Sequence, residues 1–342
     1  MQDSEHKGTH SDLSQPYIFI DSCVQIWPDT DFRRLNACGC TAYAVTAWDP
    51  HAGAETALKE TANWQRIARQ YPESTRIVYS AEDIVGAKRN GQAGLILTTQ
   101  GGTFLGHSLD LLEMFYKMGL RIMIPSYNDR NALCDGCLEP TDAGLSRLGR
   151  KWVKECNRLG ILIDLSHVGR KASFEIMERS ESTVVFTHSN PNALVENARN
   201  VTDEQIKLCA ETGGIIAPTN WGPLNLRAGM KTRPTLEHYA DAIDYIVDLV
   251  GIDHVGIGTD MSHGTYPDGD LVRGHATGVS DIYGTYIEAS PRSRLRYVEG
   301  FDDYGQLLNL VAALKRRGYS EEAVKKVLGG NYLRVFRSVW RS

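Results

Sequence analysis

No apolar run in this 342-residue chain approaches the roughly 20 residues that a membrane-spanning helix needs. Basic residues are not in excess either: 37 Lys and Arg against 42 Asp and Glu leave a formal charge of −5, which gives no footprint for nucleic acid. The amino terminus, from Met1 to His10, is polar and lacks the apolar stretch of a signal peptide. The expectation is a cytoplasmic protein with a short disordered leader over residues 1–15, bound to neither membrane nor nucleic acid. Cysteine is sparse and odd in number, with seven scattered residues, so no disulfide framework is implied. Cys38-Gly39-Cys40 and Cys134-Asp135-Gly136-Cys137 are too irregular for a paired zinc motif and read as structural or loop positions. Internal repeats and low-complexity tracts are absent as well.

The sequence does contain eight short apolar runs alternating with amphipathic helical stretches. The runs at 17–21, 41–47, 94–98, 120–125, 161–166, 183–187, 214–218 and 254–259 read as strands. Helices are expected near 54–71, 81–89, 107–118, 143–159, 169–179, 202–212 and 235–250, with two more at 307–317 and 321–328. Continuous apolar runs such as Ile161-Leu162-Ile163 suit strands buried on both faces, and strand–helix alternation suits a parallel sheet. Eight such strands favour an α/β fold of the TIM-like (β/α)8 type, one barrel domain over 1–342 with additional carboxyl-terminal helices. Thr141-Asp142 is placed to cap the helix that follows, Thr202 with Gln205 forms a capping box, and Gly119, Gly160 and Gly213 stand where helices give way to strands. Residues 261–299, rich in Gly, Asp, Tyr and Pro, read as an irregular loop insertion over the barrel mouth.

Polar residues close several of the apolar runs. His167, His188 and Asp260 end strands five, six and eight, and the carboxyl ends of barrel strands meet at one mouth. Any one such histidine is more often a hydrogen-bonded structural residue than a ligand; the three together point to a metal. Imidazole and carboxylate are good zinc ligands, and zinc polarises a carbonyl and acidifies water. Asp260 is a ligand or the base that removes a proton from water.

These residues lie in segments that match a known pattern. Gly144-Leu145-Ser146, the run from Leu159 to Val168, Phe186-Thr187-His188-Ser189, Ala198-Arg199-Asn200-Val201, Gly258-Thr259-Asp260 and the run from Gly330 to Val335 together resemble the membrane (renal) dipeptidase family of the amidohydrolase superfamily. The resemblance extends from Asp21 to about Phe336. It implies a TIM-like barrel, with His167 and His188 as ligands of one metal, Arg199 as the group that binds the substrate carboxylate, and Asp260 as the strand-eight aspartate. Homodimerisation is a further implication.

The departures from the family pattern concern the other metal. The family's Asp-x-His-x-Asp stretch is here Asp21-Ser22-Cys23-Val24-Gln25, so Cys23 replaces the histidine and Gln25 the second aspartate. Gln100 stands where the family has a bridging glutamate, and Tyr127 where it has a histidine after strand four. Neutral amides are weak donors, so the expectation is one zinc ion or none, held by His167, His188, Asp260 and Cys23. For Cys23 the alternative is a small buried side chain. Tyr127 donates to a developing oxyanion or lines the pocket, Gln100 and Tyr127 orient the reacting carbonyl, and Asn220 faces the same mouth as a substrate-binding candidate.

The reading reached from the sequence is a dipeptidase-like metallohydrolase acting on an amide-type C–N bond of a small carboxylate-bearing molecule. The competing readings are a lyase, isomerase or tailoring enzyme in the same pocket, and a binder that has lost the reaction.

Overall fold

The computed structural model describes residues 17–27, 29–264 and 296–341. Its strands are β1 (Ile20–Ile26), β2 (Ala42–Thr46), β3 (Thr75–Ile77), β4 (Ala93–Thr99), β5 (Leu120–Met123), β6 (Leu162–Asp164), β7 (Val184–Val185) and β8 (Met261–His263), and every pairing among them is parallel. The hydrogen-bonded path runs β7-β6-β5-β4-β2-β1-β8, with β3 beside β4. Single bridges from Phe186 to Ile216, from Ile216 to Val255 and from Asp21 to Ile257 close this path into a ring. The staves of the barrel are therefore β1, β2, β4, β5, β6, β7 and the segments around 216 and 255–257, in the order the apolar runs predict.

Three details differ from the sequence reading. The first strand reaches Ile26, so Cys23 and Gln25 lie within it and not after it. The last two staves are held by isolated bridges, because Gly213, Gly214, Gly256 and Gly258 interrupt the side-chain packing that sustains a ladder. Met261–His263, expected in a loop, pairs with the end of β1; β3 is equally short, and three residues carry no readable periodicity. Most of the expected 261–299 insertion and all of the 1–15 leader lie outside the described residues.

Alternation with period two sorts the stave residues into two layers. Ile20, Ala42, Ala44, Ile96, Ile122, Leu162, Val185, Ile215 and Ala217 pack with one another, with Tyr332 and Phe336 of the last helix, Asn331–Val339, and with Trp340 at its end. The intervening residues, among them Tyr43, Leu95, Leu97, Ile163, Val184 and Ile216, pack outward among the helices. Small and branched side chains fill the narrow interior, and stacked Phe336 and Trp340 (ring centroids 3.9 Å apart) pack against them.

The helices begin where local chemistry predicts. Thr202 and Gln205 form the capping box of Asp203–Glu211, and Gly119, Gly160 and Gly213 all adopt positive φ behind their helices. Asp142 differs: the helix Arg147–Leu159 is capped by Ser146, whose Oγ accepts from Gly149 N, while Asp142 accepts from Lys171 N at the start of the next helix, Arg170–Arg179. Among the described residues no helix is long and apolar enough to cross a membrane.

Candidate active site

Two buried aspartates organise the mouth. Asp164, at the end of β6, accepts from Ser166 N (2.9 Å), Ser166 Oγ (2.8 Å), Thr187 N (3.0 Å) and Thr187 Oγ1. Asp21, in β1, does the same across the barrel with Cys23 N (3.1 Å), Thr259 N (2.9 Å), Thr259 Oγ1 and the Tyr304 hydroxyl. In both cases the aspartate takes the amide of the residue two positions on, and both polar groups of a threonine on another stave. The residue after that threonine is His188 in one case and Asp260 in the other. Burial pushes both carboxyls up, Asp21 to about 6, against the opposing pull of their hydrogen bonds.

The clamp at Thr187 fixes His188. The hydroxyl proton of Thr187 goes to the Asp164 carboxylate, so Thr187 Oγ1 is left to accept from His188 Nδ1, 2.8 Å away. Burial, reinforced by the Arg199 charge, holds the His188 imidazole well below its usual range, and it is neutral. His167 Nδ1 lies 2.7 Å from Asn128 Oδ1, an amide oxygen that can only accept. Both rings therefore carry the proton on Nδ1, and their Nε2 lone pairs face each other at 2.8 Å. Two lone pairs at that separation repel unless a shared proton or a cation bridges them.

Tyr127 lies flat on His167, with ring centroids 4.0 Å apart and 27° between the planes. Arg199 is buried behind His188, its Nη2 3.2 Å from His188 O and its Nη1 3.5 Å from Ser189 Oγ, both neutral partners. His167, Ser189, Arg199 and Cys137 border one cavity.

Cys23, Gln25, Gln100 and Asp260 form a second group. The Cys23 thiol lies 3.7 Å from Asp260 Oδ1, and Gln25 Nε2 lies 3.3 Å from the same oxygen. Gln100 Nε2 donates to Thr46 Oγ1 (2.9 Å) and to Cys23 Sγ (3.3 Å). Burial, then the charges of Asp260, Asp21 and Asp164, push the Cys23 thiol well above its usual range, so it is protonated and donates to Asp260. Burial also raises Asp260, opposed by the nearby Arg296 charge and the Gln25 hydrogen bond.

The four residues expected to share one metal thus separate into a histidine pair and a thiol–carboxylate pair. Among the described residues no group of three or more His, Cys, Asp or Glu is arranged to hold a metal ion. The physical reason lies in the substitutions: where a second ion would need lone pairs, Cys23, Gln25 and Gln100 present an S–H and N–H groups. The donor chemistry fits one cation at the two Nε2 atoms and does not fit a second beside Cys23. Asn220 is fully buried and donates to Phe301 O (2.7 Å), which ties the loop after the seventh stave to the 298–301 segment.

Only three non-glycine residues among those described have positive φ: Asn128 (61°), His167 (66°) and Asp260 (55°). All three belong to this site, where backbone strain tends to collect. Sequence reasoning missed Asn128, Asp164, Thr187 and Thr259. For the last three the signal was legible as a repeated arrangement: Asp21-x-Cys23 and Asp164-x-Ser166, matched later in the chain by Thr259-Asp260 and Thr187-His188.

A closed parallel barrel with imidazoles, carboxylates and a buried arginine at the carboxyl ends of its staves is the architecture of amidohydrolase-type barrel proteins. The chain belongs to the membrane dipeptidase family, peptidase family M19, whose model matches residues 19–271 and 287–341. It is 29% identical over 291 residues to the dipeptidase tcpJ of Claviceps purpurea, covering 84% of this chain and 61% of that protein. It is 26% identical to the dipeptidase verJ of Clonostachys rogersoniana, covering 80% and 62%. The chain thus spans about three-fifths of the length of these curated relatives. A solved amidohydrolase from Pseudomonas aeruginosa superposes with a TM-score of 0.84 at 32% identity, covering 96% of this chain and 98% of that one. A metallopeptidase from Rhodobacter sphaeroides, solved with a phosphinate mimic of L-Ala-D-Ala, shares the fold with a TM-score of 0.77 at 21% identity, covering 95% and 99%.

Proposed function

We propose that this protein is a dipeptidase-like hydrolase that cleaves an amide-type C–N bond in a small substrate bearing a carboxylate, and that it works with a single divalent cation, zinc. The facing Nε2 lone pairs of His167 and His188, 2.8 Å apart, carry this reading. These two residues would hold the cation, which when bound supplies Lewis-acid polarisation of a carbonyl oxygen.

The remaining roles follow from the side chains. Arg199, buried against neutral partners, binds the substrate carboxylate through its planar guanidinium. Asp260 accepts the proton released when water attacks the carbonyl, its affinity for that proton raised by burial. Cys23 and Gln25 hold that carboxylate in place by donating to it. Tyr127, stacked on His167, orients the carbonyl, and Gln100 anchors Cys23 from the far side. Asn220 Nδ2 is engaged by Phe301 O, which favours a structural role for this residue over contact with the substrate. Retention of both buried Nδ1 partners favours an enzyme over a passive binder, which has no use for two imidazoles in one fixed tautomer.

The test measures metal content and turnover together. Protein purified without chelator should carry no more than one equivalent of zinc. It should hydrolyse dipeptides and N-acyl amino acids with a free α-carboxylate, L-Ala-D-Ala among them, and not their carboxamides. Two equivalents of zinc, or equal turnover of the carboxamides, would overturn the reading.

A further inference from the structure

His188 has an evident support in Thr187 and Asp164; His167 has none that the family pattern names. The structure supplies one in Asn128. We propose that Asn128 is a positioning residue that locks His167 in its Nδ1–H tautomer and so aims the Nε2 lone pair at the point where that of His188 arrives.

Four observations converge on this role. Asn128 Oδ1 is 2.7 Å from His167 Nδ1, and this side chain is buried. The Cys137 thiol lies 3.4 Å from the same Oδ1 and donates to it, a second donor on that oxygen. Backbone bonds tie the three segments together: Cys137 N donates to His167 O (2.8 Å) and Leu138 N to Asn128 O (2.9 Å). Gly136 lets them close, since a Cβ there would stand 2.0 Å from the Asn128 carbonyl carbon.

The backbone supports the same conclusion. Asn128 and His167 both occupy the left-handed region, at φ 61° and 66°. Asparagine tolerates that region better than most residues, yet two strained residues meeting through one hydrogen bond imply that their side-chain contact is what the fold maintains. The Tyr127 ring stacks on one face of His167 and limits the tilt of the imidazole. The two histidines are therefore presented by unlike supports, one by a neutral amide and one by a carboxylate acting through a hydroxyl.

This inference rests on His167 and His188 as the cation-holding pair, but its first test needs no metal. In apo protein with 15N-labelled histidine, the His167 ring should show a hydrogen-bonded proton on Nδ1. Asn128→Gly removes the acceptor while suiting the left-handed backbone, and should abolish that signal or shift His167 toward the Nε2–H tautomer. Asn128→Asp keeps an acceptor oxygen and should retain the signal. A wild-type His167 protonated on Nε2, or an unchanged Nδ1 signature in Asn128→Gly, would overturn the proposal. In the second test, competition with a chelator should show zinc affinity about 10- to 100-fold weaker in Asn128→Gly than in Asn128→Asp. Equal affinities would also overturn it. A tautomer that responds to Asn128 in a protein that binds no zinc would instead refute the metal-dependent function and leave the positioning role intact.

Discussion

The thiol of Cys23 points a proton, not a lone pair, at Asp260, with Sγ 3.7 Å from Oδ1. Gln25 and Gln100 complete the pattern by turning N–H groups toward the Asp260 oxygen and the Cys23 sulfur. What the family pattern reserves for a second ion is here a relay of neutral donors that ends on Asp260.

That relay should be reversible by mutation. The triple variant Cys23→His, Gln25→Asp, Gln100→Glu restores the basic and anionic donors and should bind one more equivalent of zinc than the wild type, as measured by elemental analysis after dialysis. Cys23→Ser, which keeps a donor toward Asp260, should change neither stoichiometry nor turnover by more than a few-fold. Unaltered stoichiometry in the triple variant would mean that the backbone at β1, and not the side chains, excludes the second ion.

Arg199 should show a division between function and stability. Arg199→Lys loses the planar fork, and kcat/KM for carboxylate substrates should fall by about 10- to 100-fold, the scale of a hydrogen bond to a charged group. Arg199→Met should lose activity further yet melt no lower than the wild type, because it removes a buried cation whose bonds to Ser189 and His188 are to neutral oxygens. Steady-state kinetics beside thermal melts would separate the two effects, and a large drop in Tm would count against a ligand role.

The pH dependence of stability should be governed in part by His263. Its ring stacks on Tyr304 (centroids 4.5 Å apart), its Nε2 is buried with no partner among the described residues, and burial lowers its pKa to about 4. Between that value and the unfolded value near 6.5, the unfolded chain binds a proton that the folded chain refuses. Stability from this residue is therefore present above about pH 6.5 and lost as pH falls toward 4. Asp21, raised to about 6, works in the opposite direction: its contribution is present below about pH 3.8 and lost as pH rises through 6. His263→Phe removes only the first. Relative to the wild type it should gain roughly 2–3 kcal/mol on going from pH 7 to pH 4.5 in urea titrations. A constant difference between the two proteins would refute this account.

Gly258 should tolerate no side chain. A Cβ there would fall 1.7 Å from Thr187 O, the carbonyl that also lies 2.7 Å from Ser22 Oγ. Gly258→Ala must push apart the staves that carry His188 and Asp260. A loss of about 3 kcal/mol or more is expected, measurable by denaturant titration, together with loss of turnover.

How much of this was legible in the sequence depended on range. The staves announced themselves because each is a continuous apolar run, and Thr202, Gln205 and Gly160 announced helix ends because caps act over three or four residues. Asp142 misled for the same reason: its local spacing suits a cap, but its carboxylate serves Lys171 on the next helix, a partner 29 residues away. His167 and His188 could be picked out by residue type and position, and Arg199 by the family resemblance; the fold does bring them together. Whether Cys23 acts as ligand or donor could not be read, since that turns on burial and on the charges of Asp260, Asp21 and Asp164, which converge only in three dimensions. Asn128 was hidden because an asparagine after a strand is an ordinary loop residue until its partner is known.

The single bridges at Phe186–Ile216, Ile216–Val255 and Asp21–Ile257 give the barrel a seam. Ladders knit β1, β2, β4 and β5, whereas the arc from β7 round to β1 is joined by single bridges and by backbone hydrogen bonds that lengthen to 3.3 Å at Gly256 and Gly258. Thermal opening of the wall should start there, and amide exchange at 214–218 and 254–258 should outpace that at 93–99. Inside that arc the Ser22 hydroxyl lies 2.7 Å from Thr187 O and 2.9 Å from Ile257 O, so a single side chain pins the staves that lead to His188 and Asp260.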